Sequence, residues 1–318
     1  MEPTPRARVR GAVIAAAIGD ALGAPVEFIA SLAEIRARFG PQGVSGYVHF
    51  RERDGRRFAP YTDDTQLSEA TLRALLNTGG RDLDATMVEL AREYVTWSKA
   101  PQGGHRAPGQ ACLRGCRMLA AGTPWYEAGE PDAGGCGSVM RVFPIGLLHA
   151  HDLQRAEDWA VAQSKLTHRA PIALAACAAM TRAIAQTMRG AGVAVATADA
   201  MAAAGRYDLA TARMLERARD DAHAGVPPEV ALERLQGWAA DEAIAAAVYV
   251  VTRHANDLRG GLLEAANTPG DSDSIASLVG AWLGTLLGFD AVPHAWIDPL
   301  ERSSELLALA DRAADTLA

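Results

Sequence analysis

An all-α fold in one large domain over residues 1–318 is predicted for this chain, on three observations. Alanine dominates an apolar share of 49%, while aromatic residues supply only 6%. Helices tolerate that composition far better than sheets, which draw on β-branched and aromatic residues. Apolar residues recur at helical spacing along most of the chain, and only residues 44–50 read as a strand, a short one. The Gly- and Pro-rich segments at 40–46, 100–108, 122–137 and 267–272 read as loops within one domain, and no internal repeat is visible.

The first helix is predicted over 8–22. Gly11, Ala15, Gly19 and Gly23 recur there at every fourth position. Ala276, Gly280, Gly284 and Gly288 repeat that spacing in the helix after Ser274. Small residues at this interval make a smooth stripe on which another helix packs closely, and both stripes abut polar clusters that they could hold rigid. Between them, 66–77 is helical, with Leu67, Thr71, Ala74 and Leu75 on one face and Gly79-Gly80 as the stop. Further helices are predicted at 83–98, 109–121, 153–167, 171–188, 242–254 and 303–317.

Bulk properties exclude several function classes. The net charge is −7 and the arginines are interleaved with acids, so no nucleic-acid partner is expected. The basic stretch at 51–57 reads as a solvated loop. Cys112, Cys116, Cys136 and Cys177 are too few for a disulfide framework and lack partners for a zinc set, so they read as core thiols. Asp20 interrupts the N-terminal apolar run, which therefore does not match a signal peptide. The longest apolar run, 275–289, is too short to span a bilayer. A soluble, cytoplasmic, monomeric protein is expected.

Two clusters carry the chemistry. Tyr61-Thr62-Asp63-Asp64-Thr65 and Pro269-Gly270-Asp271-Ser272-Asp273-Ser274 each place carboxylates and hydroxyls at the entry to a helical run. Capping is the plain alternative: Asp63 with Gln66 has the form of a capping box, and Asp273 or Ser274 could cap the next helix. Capping explains one acid per helix start, but not Asp-Asp or Asp-x-Asp. Together the clusters read as oxygen ligands for Mg²⁺, Mn²⁺ or Ca²⁺, able to hold two ions about 4 Å apart.

At this point the chain resembles the ADP-ribosylglycohydrolases, nearly end to end. Gly19-Asp20-Ala21-Leu22-Gly23 with Glu27 is similar to the family's opening segment, and the Tyr61–Thr65 cluster to its first metal motif. Gly135-Cys136-Gly137-Ser138-Val139-Met140-Arg141 resembles its Gly-Asn-Gly-x-x-Met-Arg segment, and Leu166-Thr167-His168 and Gly270–Ser274 complete the set. The resemblance implies an all-helical fold with two Mg²⁺ ions, Mn²⁺ being the alternative, at the base of a cleft. Thr62, Asp63 and Asp64 would bind one ion, Asp271 and Ser274 the other, and Asp273 would bridge them. It further implies release of ADP-ribose from a modified protein or a small ADP-ribose conjugate, most readily from ADP-ribosyl-arginine. ADP-ribosyl-serine, poly-ADP-ribose and O-acetyl-ADP-ribose are the alternatives.

Glu27 is the expected proton-transfer residue, since it lies outside both clusters in sequence. Gly135, Gly137, Ser138 and Met140 would hold the diphosphate, largely through backbone N–H groups, and His168 would meet the distal ribose. Arg141 would either contact a phosphate or brace the loop, and Asp20 would support a ligand without being one. Cys136 and Ser274 stand where the family more often has Asn and Thr. Zn²⁺ is expected to substitute poorly, for want of a soft ligand. Two further classes fit the sequence less well. A catalytically silent, crystallin-like relative should have lost metal ligands, yet all six positions are present. A helical phosphohydrolase would commonly use His-Asp metal pairs, which these clusters lack.

Overall fold

The computed structural model describes residues 2–317. Its helices in chain order are α1 (Pro5–Gly23), α2 (Leu32–Phe39), α3 (Asp63–Thr78), α4 (Leu83–Lys99), α5 (Gln110–Ala120), α6 (Trp125–Ala128), α7 (Phe143–Leu148), α8 (Leu153–Lys165) and α9 (Pro171–Met188). They continue with α10 (Val193–Gly205), α11 (Leu209–His223), α12 (Pro228–Ala231), α13 (Ala240–Arg253), α14 (Leu258–Ala266), α15 (Ser272–Leu287), α16 (His294–Ile297) and α17 (Ser303–Asp315). The all-α expectation holds, and the helices pack around one main core that includes Ile14, Ile18, Tyr94, Tyr249 and Trp282. No helix among the described residues is long and apolar enough to cross a membrane.

The α1–α15 pair is the centre of the molecule, and the two small-residue stripes explain it. Gly11 lies against the Gly284 carbonyl, Gly19 against that of Ala276, and Gly23 against Ser272, so the helices run antiparallel. A Cβ on Gly23 would stand 2.5 Å from the Ser272 oxygen and 2.6 Å from the Asp273 Cα. A side chain of any size would drive the helices apart. Backbone contact at this end presses the start of α15 onto the end of α1, and the Ser272 hydroxyl donates to the Gly23 carbonyl at 2.9 Å.

The strand expected at 44–50 does not form. Its backbone is taken up locally: Asn267 bonds both the Val44 N–H and its carbonyl, at 2.8 and 2.9 Å, and Tyr47 donates to the Trp296 carbonyl at 2.9 Å. The described residues hold one small sheet, the antiparallel hairpin β1 (Arg51–Arg53) and β2 (Arg56–Phe58), inside the segment expected to be a loop. Asp54 and Gly55 both have positive φ, as a tight two-residue hairpin turn requires.

Four sizeable helices, α2, α10, α11 and α14, lie where none was predicted. In α10 the run Ala202-Ala203-Ala204 and its neighbours offer almost no polar–apolar contrast, so no period is legible. In α11 only Thr211, Leu215 and Ala218 are buried, a stripe too thin to stand out.

Candidate active site

Asp20 ties α1 to the start of α3. It is fully buried, and its carboxylate accepts from the backbone N–H groups of Thr62 (2.8 Å) and Thr65 (3.0 Å) and from the Thr65 hydroxyl (2.6 Å). Thr62 is the N-cap of α3, its hydroxyl accepting from the Asp64 N–H at 3.3 Å. The capping-box alternative fails, because Gln66 instead receives the Trp97 indole N–H and donates to the Gln102 and Gly104 carbonyls. Asp63 and Asp64 therefore occupy the first turn with no capping role, and Asp64 Oδ2 is buried with no hydrogen-bond partner among the described residues.

The second cluster is set by its loop. Gly270 has φ +91°, and its N–H donates to the Ile29 carbonyl while its own carbonyl receives the Phe28 N–H. The Asp271 N–H donates to the Gln236 carbonyl at 2.7 Å. Asp271 caps α15 by position, without a side-chain capping bond, so its carboxylate is directed elsewhere. The two clusters meet in one cleft of about 450 Å³, lined by Glu27, Asp63, Asp64, Asp271, Asp273 and Ser274, together with Gly135, Gly137, Met140 and His168.

Glu27 departs from its expected place. It follows α1 in a turn, and one oxygen each from Glu27, Asp271 and Asp273 lie within 4.8 Å of one another. The carboxylate expected outside the clusters thus joins the second of them, because the same Gly270 bridge that sets Asp271 also pins residue 28. The Ser138 side chain does not face the cleft but bonds Ser164 and Cys177 in the core. The Thr62 hydroxyl meets Asp64 Oδ1 at 3.5 Å and its backbone N–H at 3.3 Å.

Electrostatically the cleft is starved of positive charge. Burial, then the charge of Asp273, raises the carboxyl pKa of Asp20 and Asp63 to about 7 and 8, and Glu27 is pushed to about 10 by burial and by Asp273 and Asp271. Asp64 and Asp271 move upward for the same two reasons. Buried acids this close, all hard oxygen donors and one of them orphaned, fit divalent cations.

Arg141 does not supply that charge to a ligand. It is fully buried, donates to Gln163 (3.0 Å), Thr167 (2.6 Å) and Cys112 (3.4 Å), and stacks on Tyr94. Its partner Gln163 in turn donates to the Ser138 carbonyl at 3.0 Å, so Arg141 supports the glycine loop at one remove. Thr167 accepts from Arg141 at 2.6 Å, and its hydroxyl lies 2.7 Å from His168 Nδ1 and fixes the ring. Burial and Arg141 hold His168 neutral, with its pKa lowered to about 3. Its ring lies against Gly137, where a Cβ would meet Cys112 Sγ at 2.7 Å and His168 Cε1 at 2.9 Å. Cys136 N–H is spent on the Trp238 carbonyl, so that amide is not free to hold a phosphate.

Sequence reasoning gave no role to two aromatic residues of the cleft. Phe28 and Trp238 stack at 5.2 Å between centroids on its rim and are 65% and 41% exposed. Phe28 has φ +69°, a strained conformation for a bulky side chain. The available signal was the rarity of aromatic residues and their place in turns. Cys136, read as a core thiol, has its Sγ 2.6 Å from Asp271 Oδ2 and 3.5 Å from Ser274 Oγ. Cys112, Cys116 and Cys177 are the buried core thiols expected.

Comparison with known proteins gives a consistent picture. The family profile for ADP-ribosylglycohydrolase matches residues 1–318. The chain is 28% identical over 311 residues to the ADP-ribosyl-[dinitrogen reductase] glycohydrolase of Rhodospirillum rubrum, covering 95% of this chain and 93% of that one. It is 25% identical over 308 residues to the ADP-ribosylarginine hydrolase Tri1 of Serratia proteamaculans, covering 96% and 78%. A solved structure described as an ADP-ribosylglycohydrolase-related protein complex shares the fold, with a TM-score of 0.69 over 99% of each chain at 24% identity.

Proposed function

The chain belongs to the ADP-ribosylglycohydrolase family and is a hydrolase of glycosidic bonds, and from that premise we propose that it releases ADP-ribose from ADP-ribosyl-arginine on modified proteins, with divalent cations in the acidic cleft. The observation that carries the reading is the convergence of Glu27, Asp63, Asp64, Asp271 and Asp273 from three separate segments on one cleft. Thr62, Asp63, Asp64, Asp271, Asp273 and Ser274 are the proposed ligands of two Mg²⁺ ions, with Mn²⁺ as the alternative. When bound, such ions supply positive charge that orients sugar hydroxyls and acidifies water.

In the reaction a water oxygen forms a bond to the anomeric carbon of the distal ribose while the carbon–guanidine nitrogen bond breaks, and the nitrogen takes up a proton. Glu27, half-buried and within reach of Asp271 and Asp273, is the proposed proton carrier. Neutral His168, fixed by Thr167, offers a hydrogen bond to the ribose through Nε2. Gly135 and Gly137 let the substrate come close to the backbone, and Met140 forms part of the wall. The stacked Phe28 and Trp238 beside Glu27 favour arginine as acceptor, because a planar cation gains from an aromatic face and a nearby carboxylate.

The test is a product assay on matched ADP-ribosyl-arginine and ADP-ribosyl-serine peptides, with and without Mg²⁺. Faster release from arginine, lost in EDTA and restored by Mg²⁺ or Mn²⁺, is expected. Faster release from serine overturns the choice of acceptor, and full turnover in EDTA overturns the metal reading.

A further inference from the structure

The two halves of the cleft differ in chemical softness. Thr62, Asp63 and Asp64 offer oxygen alone. Around Ser274 stand two sulfur atoms: Cys136 Sγ lies 3.5 Å from its hydroxyl and Met140 Sδ 3.7 Å. The Cys136 thiol also donates to Asp271 Oδ2 at 2.6 Å. The expectation that no soft ligand stands at this site is thereby corrected.

We propose that Cys136 makes the Asp271–Ser274 half of the cleft a binding site for a thiophilic divalent cation, Zn²⁺ or Cd²⁺, held by Cys136 Sγ with a carboxylate oxygen of Asp271 and the Ser274 hydroxyl. The inference rests on the reading above that Asp271 and Ser274 bind a cation. In a tetrahedral zinc site, bonds of about 2.3 Å to sulfur and 2.0 Å to oxygen set the two ligand atoms about 3.5 Å apart. Cys136 Sγ already stands at 3.5 Å from Ser274 Oγ, and its 2.6 Å contact with Asp271 has to lengthen to that separation on binding. An independent feature also points to a cation: Asp64 Oδ2, buried without a partner among the described residues, lies in the same cleft. As the metal–sulfur bond forms, the thiol proton leaves to the buffer and no atom changes oxidation state. Thiolate binds these ions in preference to Mg²⁺, so the consequence is a hydrolase that Mg²⁺ serves and Zn²⁺ blocks.

The full-length protein is titrated with Cd²⁺ and read by the ultraviolet sulfur-to-cadmium charge-transfer band, with Mg²⁺ binding measured in parallel by calorimetry. One saturable equivalent is expected, displaced by Zn²⁺ and not by a matched concentration of Mg²⁺. Cys136→Asn and Cys136→Ser should lose the band and bind Cd²⁺ more weakly by about tenfold or more. No band in the unmodified protein, or an unchanged band in both variants, overturns the proposal. If Mg²⁺ binds and no band appears, the sulfur ligand fails while the oxygen centre stands. A band without Mg²⁺ binding has the reverse meaning. Should both variants unfold, iodoacetamide labelling of Cys136 in the unmodified protein, read by peptide mass, decides the matter. Protection by Cd²⁺ and not by Mg²⁺ is expected, and equal labelling with and without Cd²⁺ overturns it.

Discussion

Asp273 and Glu27 lie within one carboxylate group, yet they should fail differently when changed. After burial, the charge of Asp273 is the leading common influence on its neighbours, raising the proton affinity of Asp20, Glu27, Asp63, Asp64 and Asp271 alike. Asp273→Asn should remove most activity and lower the Mg²⁺ stoichiometry measured by calorimetry, with the helical circular dichroism unchanged. Retained turnover would exclude a bridging role. Glu27→Gln keeps shape and hydrogen bonding but cannot exchange a proton, so kcat should fall by about 10²–10⁴-fold. Because Glu27 lies within reach of Asp271 and Asp273, its metal affinity has to be measured as well. Near-normal Mg²⁺ affinity supports proton transfer, whereas a collapse in affinity makes Glu27 a ligand.

Among the elements, the α1–α15 seam does most to place the site, and its glycines offer a signed test. Alanine is a better helix former than glycine by about 1 kcal/mol, so Gly→Ala in an open helix position should stabilise. At Gly19 the new Cβ would overlap the Ala276 carbonyl, and a backbone carbonyl cannot swing aside. Gly19→Ala should therefore destabilise by about 1–3 kcal/mol in urea melts. Gly205, at the end of α10, meets only the side chains of Ala212 and Leu209 at 3.6 and 3.8 Å, so the same change there should be neutral or stabilising. Equal effects at both positions would show that the seam does not set the helix spacing. The spacing of four in both stripes made close packing of each helix legible in sequence, but not that the two stripes pack on each other. Nor were the antiparallel direction and the press of Ser272 on Gly23 legible, because a stripe has no polarity.

Over the whole molecule, acid stability should reflect buried neutral imidazoles. His149 packs on Trp159 at 4.3 Å between centroids, and neither ring nitrogen has a partner among the described residues. Burial lowers its pKa to about 4, helped by Arg155 and His151 and opposed by Asp152. An unfolded histidine titrates near 6.5, so between that value and 4 the unfolded chain binds more protons and stability falls as pH falls. From pH 7 to pH 5 this residue alone should cost about 2 kcal/mol. His149→Leu should flatten that part of the stability profile in urea melts at the two pH values, and an unchanged slope would reject the assignment.

Composition and period determined that the chain is helical, and local clustering determined which oxygens stand at the starts of α3 and α15, because both depend on residues near in sequence. The nine predicted helices are present, and of the sizeable ones overlooked α10 lacked a contrast between faces while α11 buries only a thin stripe. Tertiary structure decided the rest of the site. Glu27 reaches Asp271 and Asp273 through the Gly270 bridge, Cys136 reaches Asp271 across 135 positions, and Phe28 stacks on Trp238. No helical or strand period relates positions so far apart. They meet because two glycine-lined helices can approach to backbone contact, and that closeness carries the loops at their ends into one cleft.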